Sequence, residues 1–322
     1  MASGGTVLQD KSRVNPQPTV DGATDTPINH VFSLSRDRFQ KQVLLTLQLT
    51  YTTGGTPPTL NADDILNFIR SIQVNGSSGT AIKTYTGPVL GKSSKYLAGT
   101  SVQRSVPLTA SSTVTATLTL PIRFPPIDAA MADRCLLNAT KFDSLQVQVN
   151  LGILSDIFAS NVPTKVSAVL QLTDIQKSFP NQALEYLNVE TMAQIPAVVQ
   201  NSTIVFEYDR RTLIRLMAFE MKTPAGVLSD AIVSQIALYV NGDQLIRTIN
   251  YAELQAMNKE MFSLESLEPG FTIWHFDPTR LMKNMLDVRS AREFQIYLYT
   301  LGFGAGSAVV NVLFQEMMPL PT

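Results

Sequence analysis

The residue types that most often carry enzyme chemistry are scarce in this sequence. Its 322 residues include two histidines, His30 and His275, and a single cysteine, Cys135. A metal site in a protein draws three or four His, Cys or carboxylate ligands together, whereas His30 and His275 lie far apart in the chain. We therefore predict no metal site. The lone cysteine also excludes a disulfide bond within the chain.

One short segment has a spacing that could support general base catalysis. In Trp274-His275-Phe276-Asp277 a histidine stands two residues before an aspartate, and an aspartate of this kind can orient an imidazole ring. The alternation of apolar and polar residues instead indicates a strand that runs into a helix cap. Pro278 directly after Asp277 is typical of the first position of a helix. We predict a structural role for this segment.

Two further candidates also favour structural roles. Asp63 and Asp64 form an adjacent carboxylate pair, but neighbouring residues on a strand point to opposite faces and make a poor acid/base pair. Cys135 lies in an apolar helical stretch beside Leu136 and Leu137, which favours a small buried hydrophobic residue over a nucleophile. The sequence therefore predicts no catalytic residue.

Neither a cofactor nor a nucleic acid is predicted as a ligand. The glycine-rich stretch from Gly302 to Gly306 lacks the following helix that phosphate binding requires. The net charge is −1, and aromatic residues make up 8% of the chain without alternating with basic ones. Such a composition gives neither a basic footprint nor a stacking platform for nucleic acid, so no sequence-specific nucleic-acid partner is expected.

A repeated stretch organises the chain instead. The segments 64–76 and 230–242 both begin with Asp, continue as a β-type run and end in Val-Asn-Gly. Asn and Gly tolerate positive φ, so the pair suits a type I′ hairpin turn. We predict that the turns of the repeat, Asn75-Gly76 and Asn241-Gly242, occupy equivalent positions in two versions of one domain.

Other landmarks recur in the same order around this repeat. Each half has an Asp-Arg pair before a strand, a proline motif after one, an alternating strand and a final β-rich run. An all-β chain could produce some such matches by composition alone, but their order favours a duplication. The paired segments are Asp37-Arg38 with Asp209-Arg210, Phe124-Pro125-Pro126 with Phe276-Asp277-Pro278, 145–149 with 294–298, and 166–172 with 308–314.

The pattern of strands and turns predicts an all-β fold. Each half contains about eight short strands, with short helices in the inter-strand loops, as in a jelly roll. One helix should begin after Asn250, which has Glu253 three residues on in the manner of a capping box. We predict an N-terminal arm at 1–29, a first eight-stranded jelly-roll barrel at 30–175, a linker at 176–200 with a helix from Asn181 to Gln194, and a second such barrel at 201–322.

Composition also bears on the surroundings of the protein. Charged residues make up 16% of the chain, against about 25% in typical soluble domains, so we expect contacts with other subunits to cover much of its surface. No apolar run reaches the roughly 18 residues that a membrane-spanning helix needs. The first residues lack the charged and apolar regions of a signal peptide, and we expect synthesis in the cytoplasm.

With its duplicated landmarks, few charges and polar arm, the sequence resembles the double jelly-roll major capsid proteins of tailless, membrane-containing bacteriophages, archaeal viruses and adenoviruses. The resemblance covers residues 30–318. It implies a homotrimer whose six barrels have a pseudo-hexagonal outline and which tiles an icosahedral virion shell. It also implies assembly in the host cytoplasm, an internal membrane beneath the shell, and penton or minor capsid proteins as further partners. The arm would face neighbouring subunits or the membrane.

Two other classes of protein fit parts of the pattern. Some bacterial glycan-cleaving amidases also consist of two jelly rolls and use acidic residues at the junction between them. They are secreted and commonly disulfide-bonded, which a chain with one cysteine does not match. A carbohydrate-binding β-module is the other alternative. A stable trimer that forms shells would favour the capsid protein, and cleavage of a glycopeptide amide would favour the enzyme.

Overall fold

The structure is a computed structural model that describes residues 11–14, 19–79, 81–126, 132–178, 183–209, 212–281 and 284–320. Strands dominate both halves of the chain, and the helices lie in the connections between them. Among these residues, no helix is both long and apolar enough to cross a lipid bilayer.

The first half contains thirteen strands and two α-helices among the described residues. Several short 3-10 segments, including Asp64–Phe68 and Ser77–Gly79, join them. The strands are β1 (Lys11–Val14), β2 (Thr19–Asp21), β3 (Ile28–Ser33), β4 (Phe39–Thr52), β5 (Thr59–Leu60), β6 (Ile69–Asn75), β7 (Ala81–Tyr85), β8 (Gln103–Ser105), β9 (Thr113–Arg123), β10 (Leu137–Asn138), β11 (Gln146–Leu151), β12 (Phe158–Ser160) and β13 (Thr164–Lys177), and the helices are α1 (Gly87–Ala98) and α2 (Leu154–Ile157).

Two sheets of the first half face each other across a hydrophobic core. One has the strand order β1-β13-β4-β9-β8, with β2 also on β13, and the other has the order β3-β11-β6-β7. Alternate residues of each strand point inward, such as Leu45 and Leu47 of β4 and Val147 and Val149 of β11. Period-two alternation is what a strand with one buried face requires, and here it closes a sandwich.

The second half repeats this arrangement. Its sheets have the strand orders β14-β22-β16-β19 and β15-β21-β17-β18, and β20 adds to the first through β16. The elements are β14 (Tyr186–Val198), β15 (Thr203–Glu207), β16 (Leu213–Lys222), β17 (Val233–Val240), β18 (Gln244–Asn250), α3 (Tyr251–Met261), β19 (Phe271–His275), β20 (Leu286–Asp287), β21 (Phe294–Thr300) and β22 (Ala308–Pro319).

The two halves therefore share one topology, and the predicted fold of two tandem jelly rolls is confirmed. In chain order, β1 with β2, then β3, β4, β6, β7, β9, β11 and β13 correspond to β14, β15, β16, β17, β18, β19, β21 and β22. We call the sheet that contains β4 or β16 the first sheet of its jelly roll, and the sheet that contains β6 or β17 the second sheet. Helix α1 follows β7 as α3 follows β18.

The structure corrects the predicted extent of the arm and the linker. Within 1–29, β1 and β2 pair with β13 and so belong to the first jelly roll. Short polar strands can join a sheet edge through backbone hydrogen bonds without an apolar pattern. The predicted helix from Asn181 to Gln194 is wrong, because β14 occupies much of that range and pairs with β22. Strand β13 ends at Lys177 and β14 begins at Tyr186, so both strands extend into the range predicted as linker.

One helical segment of the first half differs from the prediction. Residues 64–68, expected to begin a strand, form a 3-10 turn before β6. Helix α1 lies in a glycine- and serine-rich stretch whose composition does not favour a helix. By contrast, α3 begins after Asn250 as predicted, and the Asn250 backbone N–H donates to the Glu253 carboxylate at 3.4 Å.

The jelly rolls are joined side by side. Strand β7, at the edge of the second sheet of the first roll, runs parallel to β14, at the edge of the first sheet of the second roll, and Lys83 stands opposite Glu190. A sheet of one half thus continues into a sheet of the other. Helix α1 packs beside this junction and places the two rolls in contact along one side.

Candidate assembly surfaces and the seam between the jelly rolls

The segment His275-Phe276-Asp277 lies at the end of strand β19. His275 is buried, and its Nδ1 accepts a hydrogen bond from the backbone N–H of Asp277 at 3.1 Å. The Asp277 carboxylate lies 3.6 Å from Nε of Arg215, and both side chains are fully buried. His30 lies on β3 of the other half. Among the described residues, no group of three or more His, Cys, Asp and Glu could hold a metal ion.

The side chains of Asp63 and Asp64 form ion pairs with different basic residues. Asp63 Oδ2 accepts from Lys92 Nζ at 2.7 Å, and Asp64 Oδ1 lies 3.3 Å from a guanidinium nitrogen of Arg104. Burial raises the pKa of Asp64, and the charge of Arg104 opposes that shift. Both residues have positive φ, 67° and 39°, in the tight turn before β6. The pair therefore shapes a turn, and the two carboxylates do not share one proton site.

Cys135 is a buried thiol at the end of a 3-10 segment. Its surroundings bury 99% of its surface, and burial raises its pKa to about 12. Since the thiolate is the nucleophilic form, a thiol of this pKa is unreactive near neutral pH.

The two Asn-Gly pairs lie in corresponding connections but differ in conformation. Asn241 and Gly242 have φ of 53° and 85°, the left-handed values that a type I′ turn requires at both central positions. Asn75 and Gly76 are not among the described residues of positive φ, and the chain continues there into the 3-10 segment Ser77–Gly79. A Cβ on Gly76 would lie 2.7 Å from the Phe142 ring, so close packing explains this glycine.

The seam between the rolls contains a buried ion cluster centred on Lys92 of α1. Lys92 Nζ donates to Glu220 Oε1 of β16 at 2.8 Å as well as to Asp63. Glu220 is 99% buried and also receives a hydrogen bond from Asn311 at 2.9 Å. Burial alone would raise the pKa of Glu220, but the charges of Lys92 and Lys222 and the hydrogen bonds from Lys92 and Asn311 together lower it.

A second buried cluster surrounds Glu190 of β14. Lys83 Nζ of β7 lies 3.2 Å from Glu190 Oε1. The same carboxylate accepts from Asn188 at 2.9 Å, from Gln315 at 2.7 Å and from the Tyr85 hydroxyl. Burial would raise the pKa of Glu190, but Lys83 and these donors lower it. The acidic residues of the two seam clusters are thus fully occupied by cations and hydrogen bonds.

Apolar packing completes the seam. Leu216, Ala218 and Leu313, on the outward face of the first sheet of the second roll, belong to the same hydrophobic cluster as the core of the first roll. Tyr96 of α1 packs edge-on against Phe271 of β19, with ring centroids 5.1 Å apart. The face of the second roll that would otherwise meet solvent is therefore covered by α1.

The corresponding face of the first roll is uncovered. Its outward residues on β4 and β9 are mostly threonine and glutamine. Thr50 and Thr115 are hydrogen-bonded at 3.0 Å, and Thr52 and Thr113 at 2.8 Å, in a cross-strand ladder. We call this surface the threonine face. It is the counterpart of the surface that α1 covers.

Helix α3 is likewise the uncovered counterpart of α1. The N-cap residues Thr86 and Asn250 align the two helices. Ser93, seven residues after the first cap, is 5% exposed in the seam, whereas Met257, seven residues after the second, is 43% exposed. Ten residues after each N-cap the contrast is the same: Tyr96 is 1% exposed, whereas its counterpart Glu260 is exposed. Among the described residues, β18 pairs only with β17, and β1 and β2 pair only with β13.

Sequence comparison finds no relative for this chain. No protein-family model matches it, and no curated protein matches it. Its similarity to known proteins is therefore a similarity of structure.

Solved structures of viral capsid proteins share the fold over nearly the full chain. The Sulfolobus turreted icosahedral virus structure has a TM-score of 0.75 at 14% identity, with 96% of this chain and 90% of that chain covered. The PBCV-1 virus capsid gives 0.67 at 9% identity, covering 96% and 94%. The major capsid protein P2 of bacteriophage PM2 gives 0.62 at 9% identity, covering 97% and 98%.

These structures and the strand order define the class of fold. The chain has the double jelly-roll fold, which it shares with the major capsid protein P2 of bacteriophage PM2 and the other viral capsid structures. Two features distinguish this architecture from a single β-sandwich. The same strand topology occurs twice in one chain, and the seam between the two rolls is covered while its counterparts are uncovered.

Proposed function

We propose that this chain is the major capsid protein of an icosahedral virus and that its capsomer is a homotrimer. The observation that carries the proposal is the relationship between the covered seam and the uncovered surfaces. Helix α1 covers one face of the second roll, whereas α3 and the threonine face have no such partner within the described chain. Each is the counterpart of one side of the seam.

A contact between two chains with the geometry of the seam would cover both helix α3 and the threonine face. Helix α3 and β18 of one copy would pack on the threonine face and the β1–β2 edge of the next. This contact is head-to-tail, so it generates a ring when its rotation closes. Three chains supply six similar jelly rolls, which gives the pseudo-hexagonal outline. The low charge of the chain supports extensive burial, because interface centres are depleted in charged residues.

The proposed role is structural and not enzymatic. An amidase of two jelly rolls would need acidic residues at the junction that are free to act on substrate. Here Glu190 and Glu220, the buried carboxylates of the junction, are held by Lys83 and Lys92. The proposal has three further parts. The trimers tile an icosahedral virion shell that lies over an internal membrane. Penton or minor capsid proteins are further partners, and the shell assembles in the host cytoplasm.

Light scattering coupled to size exclusion tests the trimer. The expected mass is about three times the 35.3 kDa of one chain. In Met257→Asp, a charge at the centre of the proposed interface should yield monomers that keep the wild-type circular dichroism spectrum, since Met257 is 43% exposed in the single chain. Val31→Asp, at a position 55% exposed on β3 in the second sheet of the first roll, is the matched control. A wild-type chain that stays at 35.3 kDa at every concentration would overturn the proposal.

Shell formation tests the capsid role itself. Electron microscopy of purified trimers, with and without the lipids and proteins of the native particle, should show closed shells or curved arrays of capsomers with six-sided outlines. Cleavage of a glycopeptide amide by the purified chain would instead support the amidase.

A further inference from the structure

The second sheet of the second roll has a cluster of tyrosines on its outward face. Tyr239 of β17 and Tyr297 and Tyr299 of β21 point away from the core, as their alternation with the buried Leu238, Ile296 and Leu298 requires. The rings of Tyr239 and Tyr297 have centroids 4.5 Å apart. Val205 of β15, which is 48% exposed, lies opposite Tyr297. We call these four residues the tyrosine face.

The corresponding sheet of the first roll has no such cluster. The outward residues of β11 are Gln146, Gln148 and Asn150, where β21 has Gln295, Tyr297 and Tyr299. Strand β6 carries Gln73 immediately before Val-Asn-Gly, where β17 carries Tyr239. Asn150 donates to Ser71 Oγ at 2.7 Å, so polar side chains satisfy one another on this face. The tyrosines are therefore not a requirement of the fold, because the same sheet forms without them.

The tyrosine face also carries very little charge. Among the nine outward residues of β15, β21 and β17, only Glu207 at the end of β15 is charged. Tyrosine-rich surfaces with few charges are typical of the centres of protein interfaces. A sheet face without charge needs no oppositely charged partner, so it can pack on a second copy of itself across a twofold axis.

The face lies outside the surfaces that the trimer would use. In the seam, the first roll contributes α1 and the edge strand β7, and the second contributes the opposite, first sheet. The counterparts that join copies are α3, β18 and the threonine face. In the strand order of this sheet, β17 separates β15 and β21 from β18, and Tyr239 of β17 packs toward Tyr297 of β21. Ring closure would leave the tyrosine face uncovered on each chain.

We propose that the tyrosine face is the contact between trimers and that it packs on the same face of a chain in a neighbouring trimer. This proposal rests on the proposed function. One such face per chain gives each trimer three contacts at alternate corners of its six-roll ring. Flat sheets pack face to face at about 10 Å, and paired tyrosine clusters would exclude water from the centre of that contact.

The test replaces the tyrosines with the residues that the first roll already tolerates. The double variant Tyr297→Gln/Tyr299→Asn gives β21 the outward pattern of β11 and should fold normally. Its trimers should have the wild-type mass by light scattering. Sedimentation velocity measures the association of trimers. The variant should need a protein concentration at least about tenfold higher than the wild type to associate, because loss of interface anchors of this kind weakens binding by that amount.

A matched control makes two substitutions on the equivalent face of the first roll. Gln146→Ala/Gln148→Ala should leave the association of trimers unchanged. A second test variant, Val205→Lys, adds charge at a position that is already 48% exposed, so it reports on the contact even if the tyrosine variant folds poorly. It should weaken trimer association in the same way.

Each result separates the two proposals. Normal association of both tyrosine-face variants, with intact trimers, would overturn this contact and leave the trimer standing. A wild-type chain that remains monomeric would overturn the proposed function, and absence of any concentration-dependent dimer of that monomer would overturn the contact as well. Association of trimers that only added glycan or another protein restores would also count against a self-contact.

Discussion

Lys83 and Glu190 stand opposite each other where the two jelly rolls meet, with Nζ and Oε1 3.2 Å apart. One residue belongs to the edge strand of the first roll and the other to the edge strand of the second. Both are buried within the protein, and 107 residues of sequence separate them. The ion pair thus links the two rolls at the one position where β7 and β14 are paired.

Removing one charge from that pair should strongly destabilise the chain. Burial already lowers the pKa of Lys83, and Glu190 opposes that shift. In Glu190→Gln, Lys83 must either keep a buried charge without its carboxylate or lose its proton, and we expect a loss of about 3–5 kcal/mol in the free energy of unfolding. Urea denaturation followed by circular dichroism measures it. The control is Asp287→Asn, which breaks an exposed pair with Arg289 and should leave the denaturation midpoint unchanged. Equal effects of the two variants would contradict the buried pair's role.

Acid should weaken the seam. The pKa values of Glu190 and Glu220 lie below the ordinary value of 4.5 in the folded chain. The unfolded chain therefore binds more protons than the folded chain as pH falls below about 4.5, and stability decreases through that range. We expect constant stability from pH 7 to about 5 and a decline below it. Urea midpoints at each pH should show a shallower decline in Glu190→Gln.

Cys135 should be protected from thiol reagents in the folded chain. Its pKa of about 12 leaves almost no thiolate at pH 8, and its side chain is buried. Reaction with a chromogenic disulfide reagent should be slow in the native protein and fast in denaturant, with one equivalent of thiol released. Rapid reaction of the native chain would mean that this region opens readily.

Gly87 should not tolerate a side chain. A Cβ at this first position of α1 would overlap the backbone oxygen of Leu66 and lie 2.9 Å from Ile69 Cβ. Gly87→Ala should cost about 1–3 kcal/mol, as overpacking of a filled interior does. Gly54→Ala is the control, because nothing lies within 4 Å of its added methyl group. Thermal unfolding of the two variants compares them directly.

Local patterns in the sequence were sufficient to predict the jelly rolls. Alternation on β11 and β21, the Val-Asn-Gly repeats and the ordered landmarks each depend on residues close together in the chain, and the topology confirms the fold that they predict. The start of α3 was predictable for the same reason, since Asn250 and Glu253 lie within one turn. Backbone preferences and side-chain periodicity act locally and can be recognised without knowing what a strand packs against.

Tertiary contacts decided the seam and its uncovered counterparts. Helix α1 begins Gly-Pro and contains Gly91, Ser93 and Ser94, a composition with weak helical preference. Its burial against Leu66 and β16 stabilises it, and the partner of Lys92, Glu220, lies 128 residues away. Contacts at such separation depend on how two finished jelly rolls dock, so no local pattern reports them. The difference between buried Ser93 and exposed Met257 likewise exists only once both helices are placed on their rolls.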